Sequence, residues 1–395
     1  MANTIEDRVM PTYARADEVF ASGDGAILRT ADGREFLDFL AGIAVNALGH
    51  NHPRLNKALH EQIDQLVHVS NLFRHPHTET VSTRLCAYTD MAAAFFTNSG
   101  TEAVECAMKI ARKTMHSRGT AHRTSFVALE GAFHGRTMGA LSLTHNEAYR
   151  APFAPLQEVH WVPPDDIEAL QTVLRQRQPA ALFIEPIQGE GGINELSHEY
   201  LQAARAICTE TGTLLVHDEI QSGCGRTGTF LAAQHHDVTP DIVTLAKPIG
   251  AGLPMGACLA AEALAEILQP GDHGTTFGGG PLVCRAAAVF LDEVDDGLLQ
   301  QVTARGKQLR DGLCAMQEEL PVIKEVRGRG LMLGVQLDRP ARETQQALHQ
   351  QGLLINCTKG DVLRIVPPFV ITESQVADGL QRLHATLATL PPLAT

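Results

Sequence analysis

The sequence predicts an α/β protein built on a largely parallel sheet, followed by a smaller α+β region. Three observations predict it. Six short apolar runs, at residues 92–97, 125–129, 180–184, 213–217, 242–245 and 256–260, alternate with amphipathic stretches of helical period. None of them alternates apolar with polar residues, the pattern of strands covered on both faces by crossover helices. After Pro281 the texture changes to two long helical stretches, then to short strands and helices in succession.

The flanking elements come in order. A helix is expected up to Phe20, then strands at 26–29 and 35–40 joined by the turn Ala31-Asp32-Gly33. Helices are expected at 54–66 and 78–88. Another spans 197–211, from the N-cap Ser197 to the stop at Gly212. Strands at 322–327 and 331–337, a helix, strands at 353–355 and 362–365, and a last helix from Glu373 complete the chain. The expected parts are an N-terminal segment (1–60) packing with the small region, a large α/β domain (61–280) and a C-terminal small domain (281–395).

Composition bounds the function. The 395 residues allow about two or three domains. A hydrophobic fraction of 44% excludes a disordered chain, and only 19% charged residues implies much surface hidden in a core or against another subunit. A net charge of −13 offers no basic field for nucleic acid, though small anions answer to local charge. The start MANTIEDRVM has no basic region leading into an apolar stretch, so no secretory leader is expected. The best membrane candidate, residues 248–261, is short of a span and broken by Gly and Pro. Eight scattered cysteines without a C-x-x-C argue for a reducing, cytoplasmic setting.

In an open α/β sheet ligands bind beyond the carboxyl ends of the strands, so the residues just after each apolar run carry the chemistry. After Phe96 comes Thr97-Asn98-Ser99-Gly100-Thr101-Glu102-Ala103, which suits a phosphate at a helix N-terminus and equally an ordinary N-cap. Phe133-His134-Gly135-Arg136 offers a ring-stacking aromatic and a carboxylate-gripping arginine, or a turn with a core Phe and a surface Arg. Glu185-Pro186-Ile187-Gln188-Gly189-Glu190-Gly191-Gly192 puts two carboxylates on a glycine-rich loop. Asp218-Glu219-Ile220-Gln221 ends a buried strand on an aspartate, which needs a positive partner: a protonated ring nitrogen or a structural cation. Lys247, in apolar company, has its charged form disfavoured and so suits a Schiff-base lysine; a snorkelling surface lysine is the plainer alternative. His273-Gly274-Thr275-Thr276-Phe277-Gly278-Gly279-Gly280 adds hydroxyls and glycines able to hold a phosphate. No Walker loop, G-x-S-x-G or H-E-x-x-H occurs, and the pairs His50/His52 and His235/His236 lack a third ligand, so no metal is assigned.

Taken jointly and in order, these segments resemble the class III pyridoxal-phosphate aminotransferases, over nearly the whole chain from Gly25. Within the class, residues 42–50, 68–73 and 274–279 most resemble the acetylornithine branch of arginine biosynthesis. The resemblance implies a type I fold with a mostly parallel seven-stranded sheet, pyridoxal 5'-phosphate as cofactor and a homodimer with shared sites. It makes Lys247 the Schiff-base lysine and proton shuttle, and Asp218 the partner of the pyridine nitrogen. Gln221 would lie near the ring hydroxyl and Phe133 on the ring face. Ser99, Gly100 and Thr101 would hold the phosphate, with Thr276 from the neighbouring subunit. Arg136 and Arg364 would bind substrate carboxylates, Glu190 would gate Arg364, and Thr275 would lie close to the substrate. The implied reaction is a ping-pong transfer of the δ-amino group of N-acetylornithine to 2-oxoglutarate, giving N-acetylglutamate 5-semialdehyde and glutamate. Ornithine, succinylornithine, 4-aminobutyrate or carrier-linked lysine are rival donors, and an aminomutase or racemase would use the same Lys and Asp. Three positions depart from the family pattern: Pro248 after the lysine, Gly280 where asparagine is usual, and Ser222-Gly223-Cys224 in place of Thr-Gly-Met.

Overall fold

The computed structural model describes residues 8–390. Its centre is a seven-stranded sheet, numbered here in chain order: β1 (Ala93–Thr97), β2 (Phe126–Leu129), β3 (Val159–Val162), β4 (Ala181–Ile184), β5 (Leu214–Asp218), β6 (Ile242–Leu245) and β7 (Gly256–Ala260). The spatial order is β1-β7-β6-β5-β4-β2-β3. Adjacent strands from β6 to β3 run parallel, and β7 alone is antiparallel to both its neighbours. Every residue of β2, β4, β5, β6 and β7 is buried, as their non-alternating composition demands. The apolar runs do not reveal β3, because Val-His-Trp-Val sits at the sheet edge with three of its four residues only half-buried. An edge strand can carry polar residues that a central strand cannot.

Crossover helices Gly100–Ser117, Ile167–Arg177 and His198–Thr211 return the chain between strands. The third begins where the Ser197 hydroxyl accepts the Tyr200 N–H and ends on Gly212 at φ +69°, the left-handed stop glycine adopts most easily. This winding brings the carboxyl ends of β1, β2, β4, β5 and β6 to one edge, where the site forms.

The helix expected up to Phe20 is absent from its described part: residues 8–19 are irregular, and Phe20 opens the strand Phe20–Asp24. Val9, Met10 and Tyr13 are 58, 79 and 76% exposed, so a helix here would have no apolar face to bury, and short helices need one. The strands Phe20–Asp24, Ile27–Thr30 and Glu35–Asp38 form a sheet whose fourth member, Leu353–Leu354, comes from the far end of the chain and pairs Leu353 with Leu37. A further sheet joins Ile323–Arg329, Met332–Leu337, Val362–Ile365 and Asn356–Thr358. One hydrophobic core runs from Phe39 and Leu48 through Leu333 and Leu363 to Val243 and Leu245 of β6. Among the described residues no helix is long and apolar enough to cross a membrane.

After the first of these sheets the backbone makes a left-handed turn. Ala41, Gly42, Ile43 and Ala44 all have φ between +50° and +65°, a conformation costing roughly 1–2 kcal/mol per non-glycine residue. The Asp38 carboxylate holds it by accepting the N–H groups of Leu40 at 2.9 Å and Ala41 at 2.7 Å. The turn sets Val45 into the wall of the central cavity.

Candidate active site

A cavity of about 340 Å³ opens beyond the strand ends. Its floor is polar. β5 ends in Asp218, 4% exposed, whose Oδ1 accepts the Ile220 N–H and the Thr244 hydroxyl, both at 3.1 Å. Oδ2 lies 2.7 Å from Nδ1 of buried His134. Burial alone would push the His134 imidazolium down, but its hydrogen bond to Asp218 and the charges of Asp218 and Glu185 outweigh that and raise its pKa. The Asp218 carboxylate therefore has every protein partner fixed before any ligand arrives.

Lys247 follows β6 and lines the same floor. Burial, helped by the positive charge of Arg364, pushes its ammonium down to about 8. Its φ of +46° is left-handed, the kind of strain that persists where the surroundings over-determine a functional residue. Pro248, the first of the sequence departures, sits in the first turn of the short 3-10 helix Lys247–Gly250, where its missing N–H costs nothing.

At the other end stands the N-terminus of the Gly100–Ser117 helix, capped by Ser99 Oγ accepting the Glu102 N–H. First-turn N–H groups have no partner within a helix and, with the helix dipole, attract an anion. A Cβ on Gly100 would stand 2.7 Å from the Ile220 side chain, so glycine lets Ile220 pack against the start of the helix. The Thr101 hydroxyl is otherwise engaged: it accepts the Arg136 and Thr137 N–H groups at 3.2 Å and bonds Thr137 Oγ1 at 2.8 Å. Its side chain thus ties the helix to the loop carrying Phe133 and Arg136, leaving backbone N–H groups to meet a phosphate.

Phe133 forms one wall, held where its N–H donates to Glu185 Oε2 at 3.0 Å. Glu185 Oε1 accepts the Gly189 N–H at 3.1 Å, and burial pushes this carboxyl up to about 7. Arg136 is exposed at the rim, its guanidinium 3.8 Å from the Tyr149 ring centre and 5.5 Å from that of Phe133. Behind the wall formed by Glu190 and Gln221, Arg364, fully buried, reaches from Val362–Ile365 to Glu190 at 2.5 Å, Asn356 at 3.1 Å and Gln221 at 3.2 Å.

Ser99, Gly100, Thr101, Phe133, Arg136, Glu190, Asp218, Gln221 and Lys247 thus all line one cavity, and Arg364 backs it through Glu190 and Gln221. Thr275 and Thr276 do not line it. Thr275 Oγ1 accepts from the Asn98 amide at 3.3 Å, just outside the wall, and Thr276 is exposed. Sequence reasoning overlooked three supporting contacts: His134 on Asp218, Thr244 on Asp218 and Tyr149 on Arg136. His134 sits inside a motif already singled out, so a buried strand-end aspartate in want of a partner was the signal available. Of the remaining departures, Gly280 caps the Pro281–Glu293 helix, and Cys224 is buried at φ +54°.

A desolvated lysine, a carboxylate held by fixed partners and an anion-receiving helix end, spaced around an aromatic wall, fit the aldehyde, ring nitrogen and phosphate of pyridoxal 5'-phosphate. The helix N-terminus, with Ser99, Gly100 and Thr101 lining the cavity, fits the phosphate. Fold and site together define a pyridoxal-phosphate enzyme of fold type I. Within it the chain belongs to the aminotransferase class-III family, whose model matches residues 12–387. It is 42% identical to the acetylornithine aminotransferase of Aquifex aeolicus over 381 residues, 96% of this chain and 99% of the relative. Among solved structures it is similar to the ornithine aminotransferase of Toxoplasma gondii, with a TM-score of 0.92 and 35% identity over 96% of this chain and 92% of that one. It is also similar to the N-acetylornithine aminotransferase of Stenotrophomonas maltophilia, with a TM-score of 0.84 and 38% identity over 95% and 97% of the two chains.

Proposed function

We propose that the chain transfers the δ-amino group of N-acetylornithine to 2-oxoglutarate, yielding N-acetylglutamate 5-semialdehyde and glutamate. The observation that carries this reading is the pair of arginines serving one cavity, Arg136 open at its rim and Arg364 buried behind its wall under Glu190. N-acetylornithine has one carboxylate, at the end remote from the reacting amine; Arg136, held flat by Tyr149 and Phe133, binds it while Arg364 stays masked. 2-Oxoglutarate has two carboxylates, and Glu190 swings aside so that Arg364 takes the one beside the keto group. Acetylation suits a rim that offers a cation, since it removes a second positive charge from the donor.

Bound pyridoxal phosphate supplies an electron sink that makes the C–H bond beside the substrate nitrogen acidic. The protein supplies the rest. Asp218, fixed by His134, Thr244 and the Ile220 N–H, would hold a proton on the cofactor's ring nitrogen. The Lys247 amine, with a pKa near 8, is poised to take a proton from carbon and return it. Phe133 would pack on the cofactor ring, Gln221 would lie near its hydroxyl, and Ser99, Gly100 and Thr101 would hold the phosphate.

The same reading makes the enzyme a cytoplasmic homodimer in which Thr276 completes the partner's phosphate site. Its exposure, beside Phe277 at 66% and near Leu72 and Phe73 at 88 and 68%, supports an interface there. Thr275 then flanks the substrate, and segments 1–60, 61–280 and 281–395 act as an N-terminal segment packing with the small domain, the large cofactor domain and the small domain. Rapid mixing of the aldehyde-form enzyme with N-acetylornithine, ornithine and 4-aminobutyrate tests the donor. Loss of the aldehyde absorbance is fastest with N-acetylornithine; a faster reaction with either rival overturns the assignment.

A further inference from the structure

Arg226 carries a buried charge that the reaction just described does not use. It lies in the loop Ser222–Gly228 that leaves the cavity after Gln221, and its side chain is 0% exposed. Burial costs a guanidinium several kcal/mol unless its donors are met, yet Nε and Nη2 have no partner among the described residues. Two backbone carbonyls use the remaining nitrogen: Nη1 donates to Pro367 at 2.5 Å and to Leu331 at 3.1 Å. The guanidinium lies 4.4 Å from the centre of the Phe369 ring. The backbone adds a reciprocal bond, with the Leu331 N–H donating to the Arg226 carbonyl at 3.0 Å.

Those contacts converge on the segment that carries Arg364. Pro367 lies three residues beyond it, and on either side the chain is pinned to the N-terminal region, Val366 N–H to Phe39 at 2.9 Å and Phe369 N–H to Ala47 at 2.8 Å. Leu331 begins the approach to Met332–Leu337, the strand whose Gly334 pairs with Arg364. Arg226 thus grips the strand of Arg364 just past its end and its neighbour just before its start, from the loop that also places Gln221 on the Arg364 guanidinium.

We propose that Arg226 is a positioning residue for Arg364, fixing from behind the place where that guanidinium exchanges Glu190 for the second carboxylate of the keto acid. A lysine keeps the charge and donors but replaces the planar guanidinium that lies against Phe369 with one compact ammonium on a flexible stem, so it holds the two carbonyls less firmly, and a methionine keeps neither charge nor donors. The inference rests on the two-arginine reading above, and it is specific to one half of the reaction, because the amino donor binds at Arg136 while Glu190 still covers Arg364.

The test measures both half-reactions by absorbance on holoenzyme carrying Arg226→Lys or Arg226→Met. The N-acetylornithine half is expected to stay within about twofold of wild type, while the 2-oxoglutarate half needs roughly ten- to a hundredfold more keto acid, the scale of a misplaced substrate clamp. Equal losses in both halves, a lowered Tm with neither half changed, or failure of both variants to fold makes Arg226 merely structural and overturns the proposal. Wild-type enzyme that fails the donor half overturns the functional reading instead; variants that match a competent wild type overturn only the role of Arg226.

Discussion

Glu190 Oε1 lies 2.5 Å from Nη1 of Arg364, a guanidinium closed to solvent, while Glu190 itself is 39% exposed. One partner is anchored and the other free to leave, which is what a gate requires. Glu190→Gln removes the charge but keeps the shape. A charge-assisted bond contributes about 1.5–3 kcal/mol, so the variant's KM for 2-oxoglutarate should fall about tenfold while reactivity with ω-amino donors drops relative to glutamate. Steady-state kinetics with both donors checks this; unchanged discrimination contradicts the gate.

On the proposed reading the Asp218 carboxylate is the negative end of the cofactor site, and Asp218→Asn preserves its size and two of its contacts. Loss of a fixed charge aimed at a reacting system costs on the order of a hundredfold or more in turnover. Single-turnover rates should show this with the cofactor still retained. His134→Ala, which strips the carboxylate of its imidazole partner, should lower the Tm of the protein as well, since breaking a buried pair costs about 3–5 kcal/mol.

Lys247 sets a pH dependence. Its pKa falls from the ordinary 10.5 to about 8 on folding. A depressed lysine pKa means that the folded state favours the neutral amine, so the burial penalty is absent above 10.5 and grows as pH falls through that value towards 8. The free amine that must attack the aldehyde therefore predominates above pH 8. Reconstitution of the apoprotein with pyridoxal phosphate, monitored by absorbance, should accelerate with a midpoint near pH 8; a midpoint near 10.5 contradicts the desolvated lysine.

Gly135 adopts φ +137°, and a Cβ there would collide with Thr101 Oγ1 and Cβ. Thr101 is the link between the phosphate helix and the Phe133–Arg136 loop. Gly135→Ala should destabilise the protein by about 1–3 kcal/mol and weaken cofactor retention. Thermal unfolding and dialysis against cofactor-free buffer read the two effects separately.

The central strands were legible because burial on both faces leaves little choice of residue: β2, β4 and β7 are apolar throughout, and β5 and β6 nearly so. β3 was not, since an edge position tolerates His160 and Trp161 between its valines. The stretch before Phe20 looked helical because local pattern cannot report that nothing lies beside it. In the cavity, Lys247 and Asp218 declared themselves as charged groups ending apolar strands. The support shell did not: Tyr149 meets Arg136, and Thr244 meets Asp218, only through the fold. The glycines of the strand-end loops mark where backbone comes close, as at Gly100 and Gly135, but not which group approaches.

The central claim is that Lys247 holds the cofactor and moves the proton. Borohydride reduction of the holoenzyme, digestion and peptide mass spectrometry test it most directly. The account predicts a pyridoxyl adduct on Lys247, and a colourless Lys247→Ala protein that takes no adduct and has lost turnover. An adduct on another lysine, or Lys247→Ala enzyme retaining full transaminase activity, would contradict it.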